Sequence, residues 1–332
     1  MAILNFVASN YVLFGDPDYD DLNNGGLVVA MIWTGAKFYV FDRNAYFVAM
    51  SETGQSLDWD VRSWEESTPV GEVEVYAAAG DGAVAIGVGA TYGGGGTNYC
   101  LRTTDGGATW VKTAMPSRLT WTGVCRTGSG RYVAVSSTGG SNAAATSDNN
   151  GATWTARNLS GSHFWDAVGA KGTILVAASS YNGKFSRSTD NGVTWSAAAD
   201  LPLGGNYSGE AYAVSVFNGD FYILYGYDVL KSTDDGVTWT IVLTHIGPPE
   251  MRDMAVTADG ILISCQYGNH YFSTDGSIFS YGTTLGSNDS FACAGGVIGG
   301  ISYFIAHENF NANYGLGVIA SDEMTPFFIF TF

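Results

Sequence analysis

The sequence repeats one octapeptide, and this repeat constrains the fold more than any other feature. The copies are TTDGGATW (103–110), SDNNGATW (147–154), STDNGVTW (188–195) and STDDGVTW (232–239), with a shortened copy, STDGSIF, at 273–279. Their acidic or amide position falls at Asp105, Asn149, Asp190, Asp234 and Asp275, in steps of 44, 41, 44 and 41 residues. A period of this length is typical of a four-stranded unit.

Each unit has the pattern of four short strands. In the fifth unit, EAYAVSVF, FYILYG, DVLKSTD and VTWTIVL alternate as strands do, and the octapeptide falls between the third and the fourth. A short carboxylate or amide accepts backbone N–H bonds in such a turn, and glycine takes the positive-φ position. Asn149 keeps this acceptor without a charge, so the motif predicts a structural turn.

The tryptophan that ends each full copy begins the fourth strand of its unit. There the indole is expected to pack against the neighbouring sheet and bury a large apolar area. These residues are Trp110, Trp154, Trp195 and Trp239.

Composition agrees with a single all-β domain over residues 1–332. Glycine is abundant (45) and proline scarce (7), which suits short strands with tight turns.

Stacked four-stranded units bury each other's faces, and a closed ring leaves no exposed end. We predict a β-propeller of seven antiparallel blades at about 24–68, 71–115, 119–158, 163–199, 208–244, 250–283 and 288–332. Six blades are the alternative, because the first and last motifs are degraded, and strands in 1–23 are expected to close the ring.

The motif S/T-x-D-x-G-x-T-W resembles the Asp-box, or BNR repeat, of β-propeller proteins. That family includes sialidases, other glycosidases, sortilin-type receptors, photosystem assembly factors and phage virion proteins. The resemblance covers residues 25–332 and implies the fold, whereas function varies among proteins of one fold.

The resemblance also implies where a ligand would bind. In Asp-box propellers the motif lies on one face, and ligands usually approach the other face, formed by the loops between the second and third strands and between successive units. Aromatic and amide side chains in these loops suit recognition of sugars or proteins. The candidate binding residues are Arg43, Trp64, Arg118, Trp165, Tyr181, Tyr207, Arg252, His270 and His307.

Charge and cysteine content exclude several functions. Fourteen Lys and Arg face 31 Asp and Glu, a net charge of −17, which opposes nucleic-acid binding. No apolar run reaches about 18 residues, so no membrane span is predicted, and the N-terminus makes a poor signal peptide. The four cysteines form no CxxC pair, and we expect them reduced and buried. No metal, cofactor or catalytic residue is predicted.

Three features favour a non-enzymatic virion component of a phage, in the tail, fibre or head decoration. These are the poor signal peptide, the unpaired cysteines and a lysine-poor composition rich in Gly, Ala and Thr. Such a protein would dock to other virion proteins or bind host surface glycans, and many copies would raise its avidity.

Two alternatives stay open. One is a sialidase-like glycoside hydrolase, for which Arg43, Arg118 and Arg252 lie at plausible loop positions but the N-terminal Arg-Ile-Pro signature of sialidases is absent. For a glycosidase that uses two carboxylates, the acidic loop residues are too numerous to single out a pair: Glu65, Glu66, Asp166, Glu210, Glu250, Asp253 and Glu308. The other is a bacterial assembly factor.

Overall fold

A computed structural model describes residues 28–42, 47–53, 59–63, 73–91, 95–140, 142–203, 209–245, 251–265, 269–282, 292–310 and 313–320. These ranges contain 27 strands. A helix long and apolar enough to cross a membrane does not occur in this part of the chain.

The strands form seven antiparallel sheets, each a simple meander in chain order. Sheet one contains β1 (Val28–Trp33), β2 (Phe38–Asp42), β3 (Phe47–Ser51) and β4 (Asp60–Ser63). Sheet two contains β5 (Glu74–Asp81), β6 (Val84–Thr91), β7 (Gly95–Thr103) and β8 (Val111–Leu119). Sheet three contains β9 (Trp121–Arg126), β10 (Tyr132–Ser136), β11 (Ala144–Ser147) and β12 (Thr155–Arg157). Sheets four and five contain β13 (Phe164–Lys171), β14 (Ile174–Ser180), β15 (Lys184–Ser188), β16 (Ala199–Asp200); β17 (Ala211–Phe217), β18 (Asp220–Tyr225), β19 (Asp228–Ser232), β20 (Thr240–Thr244). Sheets six and seven contain β21 (Met251–Val256), β22 (Ile261–Cys265), β23 (His270–Ser273), β24 (Ser280–Gly282); β25 (Cys293–Ile298), β26 (Ile301–Phe310), β27 (Asn313–Ala320).

The first strand of every sheet lies innermost. Each of these inner strands contacts the inner strand of the next sheet, and β25 of sheet seven contacts both β21 and β1. The sheets therefore form a closed ring. The prediction of an all-β propeller is confirmed: six blades are complete four-stranded sheets, and a sheet with three described strands lies between sheets six and one in the ring. The strands predicted within 1–23 lie outside the described residues.

Side chains within each octapeptide hold its turn together. The Thr103 hydroxyl donates to Asp105 Oδ1 (2.8 Å) and accepts from the Gly107 amide (2.9 Å). The Thr109 amide and hydroxyl donate to the two oxygens of Asp105 at 2.9 and 2.6 Å. These donors hold the pKa of Asp105 at about 2, the Thr109 hydroxyl being the strongest of them. The carboxylate is thus occupied by its own turn.

The copy with asparagine preserves this pattern. Asn149 Oδ1 accepts from the Thr153 amide (2.9 Å) and the Ser147 hydroxyl (3.0 Å). Its Nδ2 donates to the Thr153 hydroxyl (2.9 Å), reversing the direction of one bond. The turn therefore requires an acceptor and not a charge.

The turn glycine is required for two reasons. Gly236 has φ +79°, a conformation that other residues adopt at a cost. A Cβ on Gly236 would also stand 2.6 Å from Cγ2 of Val176, which belongs to the preceding sheet. The turn therefore packs directly against the preceding sheet. The glycine of each repeat unit is thus required partly by a contact with another unit.

The motif tryptophans pack between sheets. Trp239 lies edge-on to Phe185 of sheet four, with ring centroids 5.8 Å apart, and is 7% exposed. Trp110 contacts the rings of Tyr39 and Phe41 in sheet one. Trp154 and Trp195 pack in the same way against sheets two and three. Each indole thus joins its own blade to the one before it.

Arginines add a polar link at the same junctions. Each donates to the backbone carbonyl of the residue before the turn glycine in the next sheet: Arg102 to Asn150 (2.5 Å), Arg131 to Asn191 (3.1 Å) and Arg187 to Asp235 (2.5 Å). Since each blade holds the next blade's turn, the octapeptides serve to assemble the ring.

The four cysteines are free thiols. Cys100, Cys265 and Cys293 are buried, as expected, and Cys125 is partly buried.

Candidate functional site

The inner strands enclose a cavity of about 820 Å3 along the axis of the ring. Its lining includes Thr120, Phe164 and Glu210, at or just before the start of inner strands, and Ser137 and Tyr181, in turns after second strands. Because antiparallel strands alternate in direction, these positions lie on the face opposite the octapeptide turns. We call it the channel face. The sequence predicts a binding surface on this face.

A β-bulge recurs near the start of the inner strands. In sheet four, Trp165 pairs with Ser179 and Ala167 with Ala178, so that Asp166 is the extra residue between them. A bulge redirects a side chain that simple alternation would place elsewhere. The same irregularity in sheets two, three, five and six leaves as extra residues Tyr76, Thr122, Tyr212 and Arg252. All five bulge residues line the cavity, one from each of five consecutive blades.

Asp166 is the acidic member of this set. The pKa of Asp166 is raised to about 6, chiefly by burial and to a smaller extent by the Glu210 carboxylate of sheet five, against the opposing effect of hydrogen bonds from Ser180 and Thr122. The Thr122 hydroxyl also donates to the backbone carbonyl of Trp165 (2.8 Å). Asp166 therefore changes charge near neutral pH.

Two exposed aromatic side chains flank the carboxylates. Phe164 and Tyr181 are 47% and 57% exposed and meet edge to face, with centroids 5.7 Å apart. The Tyr181 hydroxyl donates to Glu210 Oε1 at 3.5 Å, and the negative charge of Glu210 raises the pKa of Tyr181. Tyr181 has φ +66°, which is costly for a bulky residue. Its amide donates to the carbonyl of Gly209 (2.9 Å), which ties the turn to sheet five.

Sheet six, next to sheet five, contributes an arginine to the lining. Arg252 Nη1 donates to the Tyr212 hydroxyl (3.1 Å), and its guanidinium lies 5.7 Å from the Tyr212 ring centroid. Beside it, Asp253 accepts from the amides of Met254 (2.7 Å) and Cys293 (2.8 Å). Burial outweighs these two donors and raises the pKa of Asp253 to about 6. The Asp253–Cys293 bond joins the inner strands of sheets six and seven.

The nine predicted binding residues differ in their position relative to the cavity. Tyr181 and Arg252 line the cavity. Trp165 is fully buried in a core cluster, because the bulge turns Asp166 rather than Trp165 toward the channel. Arg118 is exposed on β8 and donates to the Gly96 carbonyl (2.8 Å), away from the cavity.

His270 is buried on β23, where its ring occupies the space that a Cβ on Gly282 would fill. Trp165, Arg118 and His270 therefore do not line the cavity, and their part in a binding face stays a prediction. Three of the predicted residues lie outside the described residues: Arg43, Trp64 and Tyr207. His307 lies in β26, with its side chain also outside the description.

Sequence reasoning missed most of the lining. The sequence offers Asp166, Glu210 and Asp253 only among seven indistinguishable carboxylates, and its octapeptides give no signal for Tyr76 and Tyr212. Each bulge residue follows a buried residue at the start of an inner strand, as in VYA, WTG, WDA, AYA and MRD. An alignment of the repeat units on the starts of their inner strands places the five bulge residues at one equivalent position. An alignment on the octapeptide does not, because the loops between the octapeptide and the next inner strand differ in length.

The described residues contain no group of three or more His, Cys, Asp or Glu side chains arranged to hold a metal ion.

No family model matches this sequence, and no curated protein matches it. Solved propellers resemble its fold. A structure of YCF48 bound to D1 peptide has a TM-score of 0.65 at 14% identity, covering 97% of this chain and 99% of that chain. YCF48 from Cyanidioschyzon merolae has a TM-score of 0.60 at 14% identity, covering 88% and 95%. The crystal structure of RRP9 WD40 repeats has a TM-score of 0.70 at 9% identity, covering 96% and 99%. At such low identities the likeness concerns the fold alone, and this chain is a β-propeller.

Proposed function

We propose that this chain is a non-enzymatic interaction propeller that receives a segment of a partner polypeptide in its central cavity. The observation that carries the proposal is the cavity of about 820 Å3, opening on the channel face and lined by one bulge residue from each of five blades. This volume falls within the range of about 300–1,000 Å3 that is typical of ligand sites. Exposed Phe164 and Tyr181 offer apolar contact area at low entropic cost. The YCF48 propeller of similar fold is bound to a peptide.

Peptide selection tests the proposal. A random dodecapeptide library displayed on phage would be panned against the immobilised full-length protein. We expect enriched peptides whose affinity falls about tenfold or more in the Phe164→Ala and Tyr181→Ala variants, because each loses a large aromatic contact. Tyr99→Ala is the matched control, since Tyr99 is 40% exposed on sheet two and does not line the cavity. Failure to enrich any peptide, or equal losses in all three variants, would overturn the proposal.

The finer proposal is that the partner belongs to a virion. On this hypothesis the chain is a tail, fibre or head-decoration protein of a phage, present in several copies, and it docks to other virion proteins or host glycans. Its support is the charge, cysteine and composition pattern of the sequence, together with the resemblance of its turns to the Asp-box. Capsid and tail genes beside the coding sequence would support this assignment, and a glycan array would separate glycan from protein ligands. Neighbouring genes of a bacterial assembly pathway would instead favour the assembly factor.

A glycoside hydrolase is the second candidate, and one observation favours it. Tyr181 contacts Glu210 close to Asp166, whose pKa of about 6 suits a general acid. The sialidases that the turns of this chain resemble use a tyrosine with a glutamate partner, an aspartic acid and three arginines. Within the described part of the lining, Arg252 is the single arginine. Turnover of a fluorogenic sialoside that is lost in Tyr181→Phe would establish the enzyme, and lack of turnover would leave the binding function.

A further inference from the structure

Asp166 and Glu210 lack a cationic partner in the described part of the chain. The salt bridges found there involve other carboxylates: Asp81 with Arg126, Asp148 with Arg131, Asp235 with Lys171, Asp200 with Lys184, Asp220 with Lys231 and Glu52 with Lys37. Asp166 and Glu210 both line the cavity, and the charge of Glu210 raises the pKa of Asp166. This part of the cavity carries uncompensated negative charge.

The aromatic pair stands over the same carboxylates. The Phe164 and Tyr181 rings meet at 5.7 Å, and the Tyr181 hydroxyl contacts Glu210. A long cationic side chain has an apolar stem and a charged head, so aromatic rings beside carboxylates complement both of its parts. An anionic head would be repelled here, and a purely apolar side chain would leave the carboxylates unpaired.

We propose that the bound segment inserts a lysine or arginine side chain between Asp166 and Glu210, with its stem against Phe164 and Tyr181. This inference rests on the proposed peptide-binding function and names the chemistry that selects the peptide. Arg252 lines the cavity from the neighbouring sheet six, where its guanidinium donates to the Tyr212 hydroxyl.

The charged and titratable groups around Asp166 give the pH dependence. Glu210 faces it from sheet five and Tyr181 from the turn after β14, while Tyr225 of β18 lies close enough for Asp166 to raise its pKa. Arg252 lines the same cavity from sheet six. A bound cation stabilises the ionised form of Asp166, so affinity is full above the pKa of about 6 and declines as the pH falls through it. If the protonated form binds about tenfold more weakly, a pKa of about 6 for Asp166 predicts a loss of affinity of about fivefold between pH 7.5 and pH 5.

The panning described above also tests this inference. Enriched dodecapeptides are expected to share a lysine or arginine at one fixed position. Labelled copies of the best peptide, with that residue kept or replaced by methionine, would then be titrated by fluorescence anisotropy. We expect the methionine peptide to bind about tenfold more weakly, because the charge-assisted hydrogen bonds are lost.

Variants of the protein assign the effect to the two carboxylates. Asp166→Asn and Glu210→Gln should each weaken the basic peptide about tenfold and bring it close to the methionine peptide. The control is Asp259→Asn, which removes one exposed negative charge on the opposite face and should change affinity less than about twofold. In Asp166→Asn the affinity should no longer fall between pH 7.5 and 5.

The outcomes separate the two proposals. If no peptide is enriched, peptide binding itself is wrong and this inference is wrong with it. If peptides are enriched without a shared basic residue, or if they bind Asp166→Asn and Glu210→Gln as tightly as the parent protein, the cation-selective site is wrong while peptide binding stands.

Discussion

Replacement of Asp105 by asparagine and by alanine tests whether the repeated acidic residue acts as a hydrogen-bond acceptor or as a charge. In the folded protein, Asp105 Oδ1 accepts from the Thr109 amide and the Thr103 hydroxyl, and Oδ2 accepts from the Thr109 hydroxyl. Alanine removes all three bonds. Asparagine keeps the Oδ1 acceptor and reverses the third bond, which is the arrangement that Asn149 already adopts in sheet three.

The structure sets the expected magnitudes. A fall in pKa from 3.8 to about 2 corresponds to about 2.5 kcal/mol at about 1.36 kcal/mol per pKa unit. Asp105 is exposed, however, and solvent screening reduces this contribution to about 1 kcal/mol. Asp105→Asn should therefore cost about 1 kcal/mol or less at pH 7. Asp105→Ala should cost about 1–2 kcal/mol, since it also leaves the Thr109 amide without its acceptor.

The pH dependence has a definite sign. The folded pKa of Asp105 is depressed, so its charge stabilises the fold above pH 4, and this contribution is lost as the pH falls from about 4 to 2. Urea unfolding followed by tryptophan fluorescence, at pH 7 and at pH 3, measures both effects. If asparagine proves as destabilising as alanine at pH 7, the charge matters and the interpretation of the octapeptide as a neutral turn device is wrong.

Three further outcomes follow from the structure. Trp154→Ala should destabilise the fold by about 3–5 kcal/mol in urea unfolding, because it removes a buried indole between sheets two and three; a loss below about 1 kcal/mol would contradict the packing role. Gly236→Ala should cost more than Gly82→Ala in the same assay: both have positive φ, but a Cβ at Gly236 meets Val176 at 2.6 Å, whereas one at Gly82 meets nothing within 4 Å. The free energy of unfolding of the parent protein, relative to Asp166→Asn, should rise by up to about 3 kcal/mol as the pH falls from 7 to 4, because the raised folded pKa favours the protonated form; a flat difference would show that Asp166 has an ordinary pKa.

Much of the architecture is predictable because it is local and repeated. The turn needs an acceptor at Asp190, a hydroxyl at Ser188 and a glycine at Gly192, and these contacts lie within a few residues of one another. Five such turns at a regular spacing predict four-stranded units, and units of this kind close into a ring. The predicted unit boundaries agree with the observed sheets to within a few residues, apart from the termini outside the description.

The candidate site is less predictable because it is not local. Trp165 and Asp166 are adjacent in sequence, and alternation alone does not tell which of them faces the cavity. The bulge decides this, and it exists only in the pairing of β13 with β14. Glu210 and Tyr181 are 29 residues apart and meet only because sheets four and five stand side by side in the ring.

The sequence by itself determined the repeating unit, its turns and the closed all-β ring, because hydrogen bonds within eight residues and strand periodicity are written in adjacent letters. The tertiary structure alone decided which side chains enter the cavity. Strand register and the bulges turn Asp166, Tyr212 and Arg252 toward the axis. Ring closure then brings together charges from different blades, so the electrostatics of the site are a property of the assembled ring and not of any one repeat.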